Sequence, residues 1–270
     1  MRDFLRFSFK SREGMPAYLA FFGVSLCGLF MVHMVLLGVL KYDGGGSETV
    51  HIMIYEMLSP LFAAAALSIT AGRMMRTATN GGTSRRSFLL GMGVLCPVFA
   101  VISTAMTVIA YLITYAIFSA NGMRLSNIGF EYIDISSKLL LDPRVMIFNM
   151  TIIFSLMLLM YTLSLIYMGV KSRFGGKAGF AAAGLLGLSY FFSLEDYDIG
   201  IFRELLWYLE ESSNDMYLLF EYDPNYPLDV AAHTFPEYLL IFIVTGAAFF
   251  LAAYLIYFLL ARRAPVRGKV

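Results

Sequence analysis

The chain has 270 residues, of which 59% are hydrophobic and only 14% charged, and its mean hydropathy is +0.72. One soluble core cannot hide that much apolar surface, which excludes an ordinary soluble domain and leaves an integral membrane protein. The formal net charge of +1 conceals a strong segregation of sign along the chain.

Residues 1–16 mix Phe4, Leu5, Phe7 and Phe9 with Arg2, Arg6, Lys10 and Arg12, a composition suited to a short interfacial segment on an anionic leaflet; a frayed basic tail fits the same residues. A spanning helix needs about 20 apolar residues, and the candidate stretches are 17–40, 51–71, 87–119, 145–170, 178–193 and 238–261. The third is long enough to tilt or project beyond the bilayer, and the fifth is short. The expected fold is therefore all-α and polytopic, a single membrane domain with six transmembrane helices. The first apolar run is long and has no small-residue cleavage site after it, so the N-terminus is expected to stay in the cytoplasm rather than be removed as a signal peptide.

Orientation follows from the basic residues. Fifteen of the 20 Lys and Arg fall in the N-terminal segment, the 73–86 loop, the 171–177 loop and the tail, and five fall in the alternate loops. Both termini are expected in the cytoplasm and the acidic loops outside, as in a multi-pass protein of a bacterial cell membrane.

Within the spans, His33 is the ionisable side chain at membrane depth, where a functional role and simple satisfaction by a neighbouring carbonyl are equally open. Pro60 and Pro97 each remove a helical hydrogen bond. Met146, Met150, Met157, Met160 and Met168 fall with Ile153 and Ser164 on one helical stripe of the fourth span. Flexible, polarisable methionines suit a path for varied apolar cargo, and they suit packing on a neighbouring helix at least as well. Gly179, Ala183 and Gly187 have the spacing that lets helices approach closely in lipid. Cys27 and Cys96 both lie in apolar runs and read as small hydrophobes, not as a disulfide.

Residues 194–236 form the longest polar segment, with ten acids against the single Arg203. Ile201, Phe202, Leu205, Leu206 and Leu209 make one apolar helical face beside Trp207 and Tyr208, which predicts an amphipathic helix lying on the outer surface as a lid. Glu195, Asp196 and Asp198 lack the spacing of a calcium loop, and no metal site is expected.

The most distinctive wording is Arg73 to Gly91, with four arginines, no acid and a Gly81-Gly82 turn signal. Its second half, Thr83-Ser84-Arg85-Arg86-Ser87-Phe88-Leu89-Leu90-Gly91, reads as a hydroxyl-capped helix start whose arginines stay at headgroup level. This resembles the loop between the second and third spans of ABC-2 type permeases, the membrane subunits of ATP-driven exporters, in which Ser-Arg-Arg-x-Phe followed by glycine recurs. The six-span plan, the interfacial N-terminus and the outer helical segment resemble that family too, including its exporters of peptide toxins of the phenol-soluble modulin kind.

The resemblance implies a coupling element in the 73–86 loop that docks on a cytoplasmic ATPase, with Arg73, Met74, Met75, Arg76, Thr77, Asn80, Arg85 and Arg86 at the contact, and a second permease chain completing a dimer. It implies an exporter of amphipathic or hydrophobic cargo, an antimicrobial or toxin peptide in particular, by alternating access, with His33, Met146, Met150, Met157 and Met160 as the candidate cargo path. The chain has no Gly-x-x-x-x-Gly-Lys-Ser/Thr: the nearest run, Gly175-Gly176-Lys177-Ala178, has Lys171 at the first glycine position and alanine in place of the hydroxyl. ATP and magnesium are therefore expected on a separate ATPase subunit, with no cofactor and no enzymatic activity in this chain. The alternative is a non-transporting immunity or sensor protein that binds a cationic peptide through its acidic outer loop.

Overall fold

A computed structural model of the protein describes residues 12–42, 49–51, 54–121, 124–126, 143–182, 184–185 and 235–262. Most of the interfacial segment, most of the short fifth span and nearly all of the acidic lid expected over 194–236 lie outside the described residues.

Five long helices make up the described structure: α1 Met15–Tyr42, α2 Ile54–Asn80, α3 Arg85–Ala120, α4 Pro143–Phe174 and α5 Phe235–Arg262. Each contains a stretch long and apolar enough to cross a membrane, the architecture of a polytopic membrane protein. The outward faces are apolar as well, with Val24 of α1, Leu240 and Leu251 of α5 and Val101 of α3 all exposed, as lipid contact requires. A short helical stretch over 176–182 follows α4. Several threonine hydroxyls are absorbed locally: Thr70, Thr107, Thr114, Thr151 and Thr162 each donate to the carbonyl four residues earlier. One two-stranded ladder departs from the all-helical expectation. Strand β1, Thr49–His51, pairs in parallel with β2, Arg124–Ser126, in the register Thr49 to Arg124 and His51 to Ser126.

Helix α4 is the hub. It packs on α2, α3 and α5, and its central part is the most buried of the five spans. Its contacts with α5 are close: Ser155 donates to the carbonyl of Phe242 at 2.8 Å, and a side chain at Gly246 would meet the Ser155 Cα at 3.1 Å. Further along, Gly169 faces Tyr257 and Leu260. Rising numbers on α4 thus match rising numbers on α5, so the two helices run parallel. Helices α2 and α4 are parallel on the same reasoning, since Ser164 donates to Ala64 at 2.7 Å while Lys171 lies across a groove from Arg73 and Arg76. Helices α1 and α3 also run parallel, with Tyr18 against Ser103 and Gly23 against Met106, and each is followed by one strand of the ladder.

The core seats Tyr18 and Phe22 of α1 against Phe99 of α3, with the Tyr18 and Phe99 rings stacked at 4.4 Å and 7°. The Tyr18 hydroxyl lies 2.6 Å from the Ser103 hydroxyl and is also hydrogen-bonded to the hydroxyl of Tyr161, joining α1, α3 and α4 through one buried cluster. In an apolar interior such a cluster is stable because every member finds a partner within it.

Candidate cytoplasmic coupling site

The resemblance placed the coupling residues in a loop over 73–86; the structure instead carries α2 without a break to Asn80 and starts α3 at Arg85. Residues 72–80 are too polar for a hydropathy pattern to include, yet their backbone hydrogen bonds need no apolar side chain. The connection shrinks to 81–84, a tight hairpin tip.

Both ends of that tip have a local physical cause. The Thr83 N–H donates to the Ala78 carbonyl at 2.9 Å and the Gly82 N–H to the Thr79 carbonyl at 3.1 Å, a Schellman termination with Gly82 at φ +84°. Only glycine adopts that backbone without strain. Helix α3 then opens on Ser84, whose hydroxyl accepts from the Ser87 N–H at 3.2 Å and donates to the Ser87 hydroxyl at 2.9 Å. The cap expected from the hydroxyl residues is Ser84.

Helical geometry sorts the expected contact residues into different surroundings. Met74 is fully buried in the core, and so is not available to fill a notch on an external partner. Met75 is half-buried against that core. Thr77 is hydrogen-bonded to the Glu13 carboxylate, which fastens the start of α1 to the end of α2. Arg85 is half-buried and already engaged within the chain. Arg73 and Arg76 are exposed but face a groove between α2 and α4. Thr79, Asn80 and Arg86 remain exposed at the tip.

The candidate cargo-path residues do not form one lining. Met157 and Met160 are buried, Met168 is nearly so, Met146 is half-buried and Met150 is exposed. Met157 and Met160, on the central helix of the bundle, are covered by neighbouring side chains. His33 is buried on α1, with Nδ1 2.9 Å from the Leu29 carbonyl one turn earlier. Its proton-bearing nitrogen is thereby directed to the helix's own backbone. Gly179 sits against Lys171 and Tyr167 of the same chain, so its close approach is to α4; Gly187 and Ala183 lie outside the described residues. Cys27 and Cys96 are both free, the first exposed and the second buried.

The Tyr18, Ser103 and Tyr161 cluster was not legible beforehand. Its members are 85 and 143 residues apart in the chain, and a tyrosine or serine inside an apolar run carries no signal of its partner. Among the described residues no group of His, Cys, Asp and Glu could hold a metal ion.

No protein-family model matches this chain, and comparison with curated proteins and with solved structures found no match.

Proposed function

We propose that this chain is the membrane-spanning subunit of an ATP-driven exporter of the ABC-2 kind, working as a dimer and coupled to a separate cytoplasmic ATPase through the α2–α3 hairpin. The observation that carries this reading is the hairpin itself: two helices locked together by a glycine termination and a serine cap, ending in an exposed tip at Thr79, Asn80 and Arg86. A rigid tip transmits a push to the helices on either side, and α2 and α3 both pack directly on α4. Arg86 supplies a planar, bidentate cation for an acidic partner surface.

A six-span topology accompanies this reading. Two parallel helices, α4 and α5, are joined by 60 intervening residues, 175–234, and parallel spans require an odd number of return crossings between them. One crossing, by the apolar stretch 178–193, gives six spans with both termini on the cation-rich side. The cargo is an amphipathic or hydrophobic molecule, with a toxin or antimicrobial peptide as the favoured class.

The test is co-purification. The tagged chain is extracted in mild detergent from its native host, and the eluate is analysed by mass spectrometry and an ATPase assay. A stoichiometric soluble ATPase that is released by Arg86→Glu, with the permease itself still folded, is the expected result. Recovery of the chain alone, without ATPase activity in repeated preparations, would sink the transporter reading and favour the peptide-binding immunity protein.

A further inference from the structure

Between α2 and α4 lies a groove of about 550 Å³ with two chemically distinct ends. At the end nearer the α2–α3 hairpin, Arg73 and Arg76 of α2 converge with Lys171 of α4. None of the three has a carboxylate partner among the described residues. Lys171 is held in place by donating to the Tyr167 hydroxyl at 3.0 Å, with its ammonium 5.1 Å from the centre of that ring. From Arg73 to Ala64 the groove follows nine residues of helix, about 14 Å, and its walls there are Ala65, Ser68, Ile69 and Leu163. Two serines line this part of the groove, and one of them, Ser164, is spent on the Ala64 carbonyl.

We infer that this groove binds one anionic phospholipid from the cation-rich leaflet. Its phosphate lies among Arg73, Arg76 and Lys171, and an acyl chain runs along Ile69 and Leu163 into the hydrocarbon. The charges of a spanning helix end normally reach the headgroup layer singly. Here three from two helices meet at one cavity with no carboxylate partner among the described residues, and the cavity continues as a mainly apolar slot, which is the polarity profile of a phospholipid. Basic pockets between helices on the cytoplasmic side select anionic headgroups, each cation adding to the attraction. The site is independent of the transporter reading, because it needs neither an ATPase nor a cargo.

The backbone provides a clean test at Gly72, which lies in the groove and has open space where a Cβ would go. Gly72→Leu narrows the groove while leaving all three cations in the sequence, and leucine is the better helix former. Full-length protein in mild detergent is mixed with phosphatidylglycerol or phosphatidylcholine and examined by native mass spectrometry. The wild type is expected to retain one phosphatidylglycerol with at least about a tenfold preference over phosphatidylcholine. Gly72→Leu and Arg73→Gln/Arg76→Gln should both lose the retained lipid while keeping native elution and helical content, and Arg86→Gln should keep it. Equal retention of the two lipids, or undiminished phosphatidylglycerol on folded Gly72→Leu, overturns the site. Because Arg86 lies outside the groove and Gly72 outside the tip, loss of lipid and loss of ATPase are separate readouts.

Discussion

Ser155 of α4 donates its hydroxyl to the Phe242 carbonyl of α5, and one helical turn beyond Phe242 the absence of a side chain at Gly246 lets the two backbones meet at that same serine. Small residues at a helix crossing are how membrane helices gain dispersion contacts that lipid cannot provide. Gly246→Val would force its Cβ to within 3.1 Å of the Ser155 Cα, against backbone that has no flexible end to give way. The expected cost is about 1–3 kcal/mol, and that of Ser155→Ala about 0.6 kcal/mol. Thermal unfolding in detergent checks both; a Gly246→Val protein as stable as the wild type would show that this crossing is looser than described.

The three-helix hydroxyl cluster makes a second prediction. Tyr18→Phe removes the central member, leaving Ser103 and Tyr161 buried without it, and should destabilise by about 1–3 kcal/mol. Tyr161→Phe removes a peripheral member and leaves the Tyr18–Ser103 bond in place. Because the two share a hydrogen bond, the double variant should cost less than the two singles added together, and a double-mutant cycle measures that coupling. Strict additivity would mean the cluster is not a connected unit.

At the hairpin, Gly82→Ala must take a side chain into φ +84°, at a cost of about 1 kcal/mol, and Ser84→Ala removes the α3 cap for a similar amount. Met74→Ala belongs to a different category. It empties a fully buried site and should cost about 2–5 kcal/mol of stability. Under gentle conditions, where the variant remains folded, ATPase recovery should be unaffected by Met74→Ala and abolished by Arg86→Glu, which a pull-down with both variants in parallel will show.

The parallel course of α4 and α5 is testable by chemistry from outside the cell. In a background with Cys27→Ser and Cys96→Ser, a cysteine placed at Lys171, near the end of α4, and one placed at Arg262, the end of α5, should lie on the same side of the membrane, both protected from an impermeant thiol reagent added outside the cell. A cysteine at Pro236, at the start of α5, should react from the opposite side. Labelling of Lys171→Cys and Arg262→Cys from opposite faces would contradict the parallel arrangement.

Local chemistry fixes some of these elements and not others. The start of α3 is written locally: Gly82 needs a left-handed backbone and Ser84 has a hydroxyl to offer three residues on, so the turn and the cap both follow from short-range chemistry. The end of α2 is not, because the polar residues 72–80 read as loop to any measure of hydropathy while the backbone continues as helix. The same error hid the division of labour within that turn.

Membrane character, the approximate positions of five apolar helices and the Gly81–Gly82 reversal are legible in the residues alone, since burial in lipid and backbone strain act on neighbouring residues. Which face of each helix points inward depends on packing between residues far apart in the chain. The tertiary structure sends Met74 into the core and turns Arg73 and Arg76 towards Lys171, joins Tyr18 to Ser103 and Tyr161, and packs Met157 among its neighbours. In an all-apolar helix nearly every face looks buried, because lipid and protein interior are equally hospitable to leucine. Which neighbour a face meets is therefore set by shape and by a few polar contacts between residues far apart in the chain.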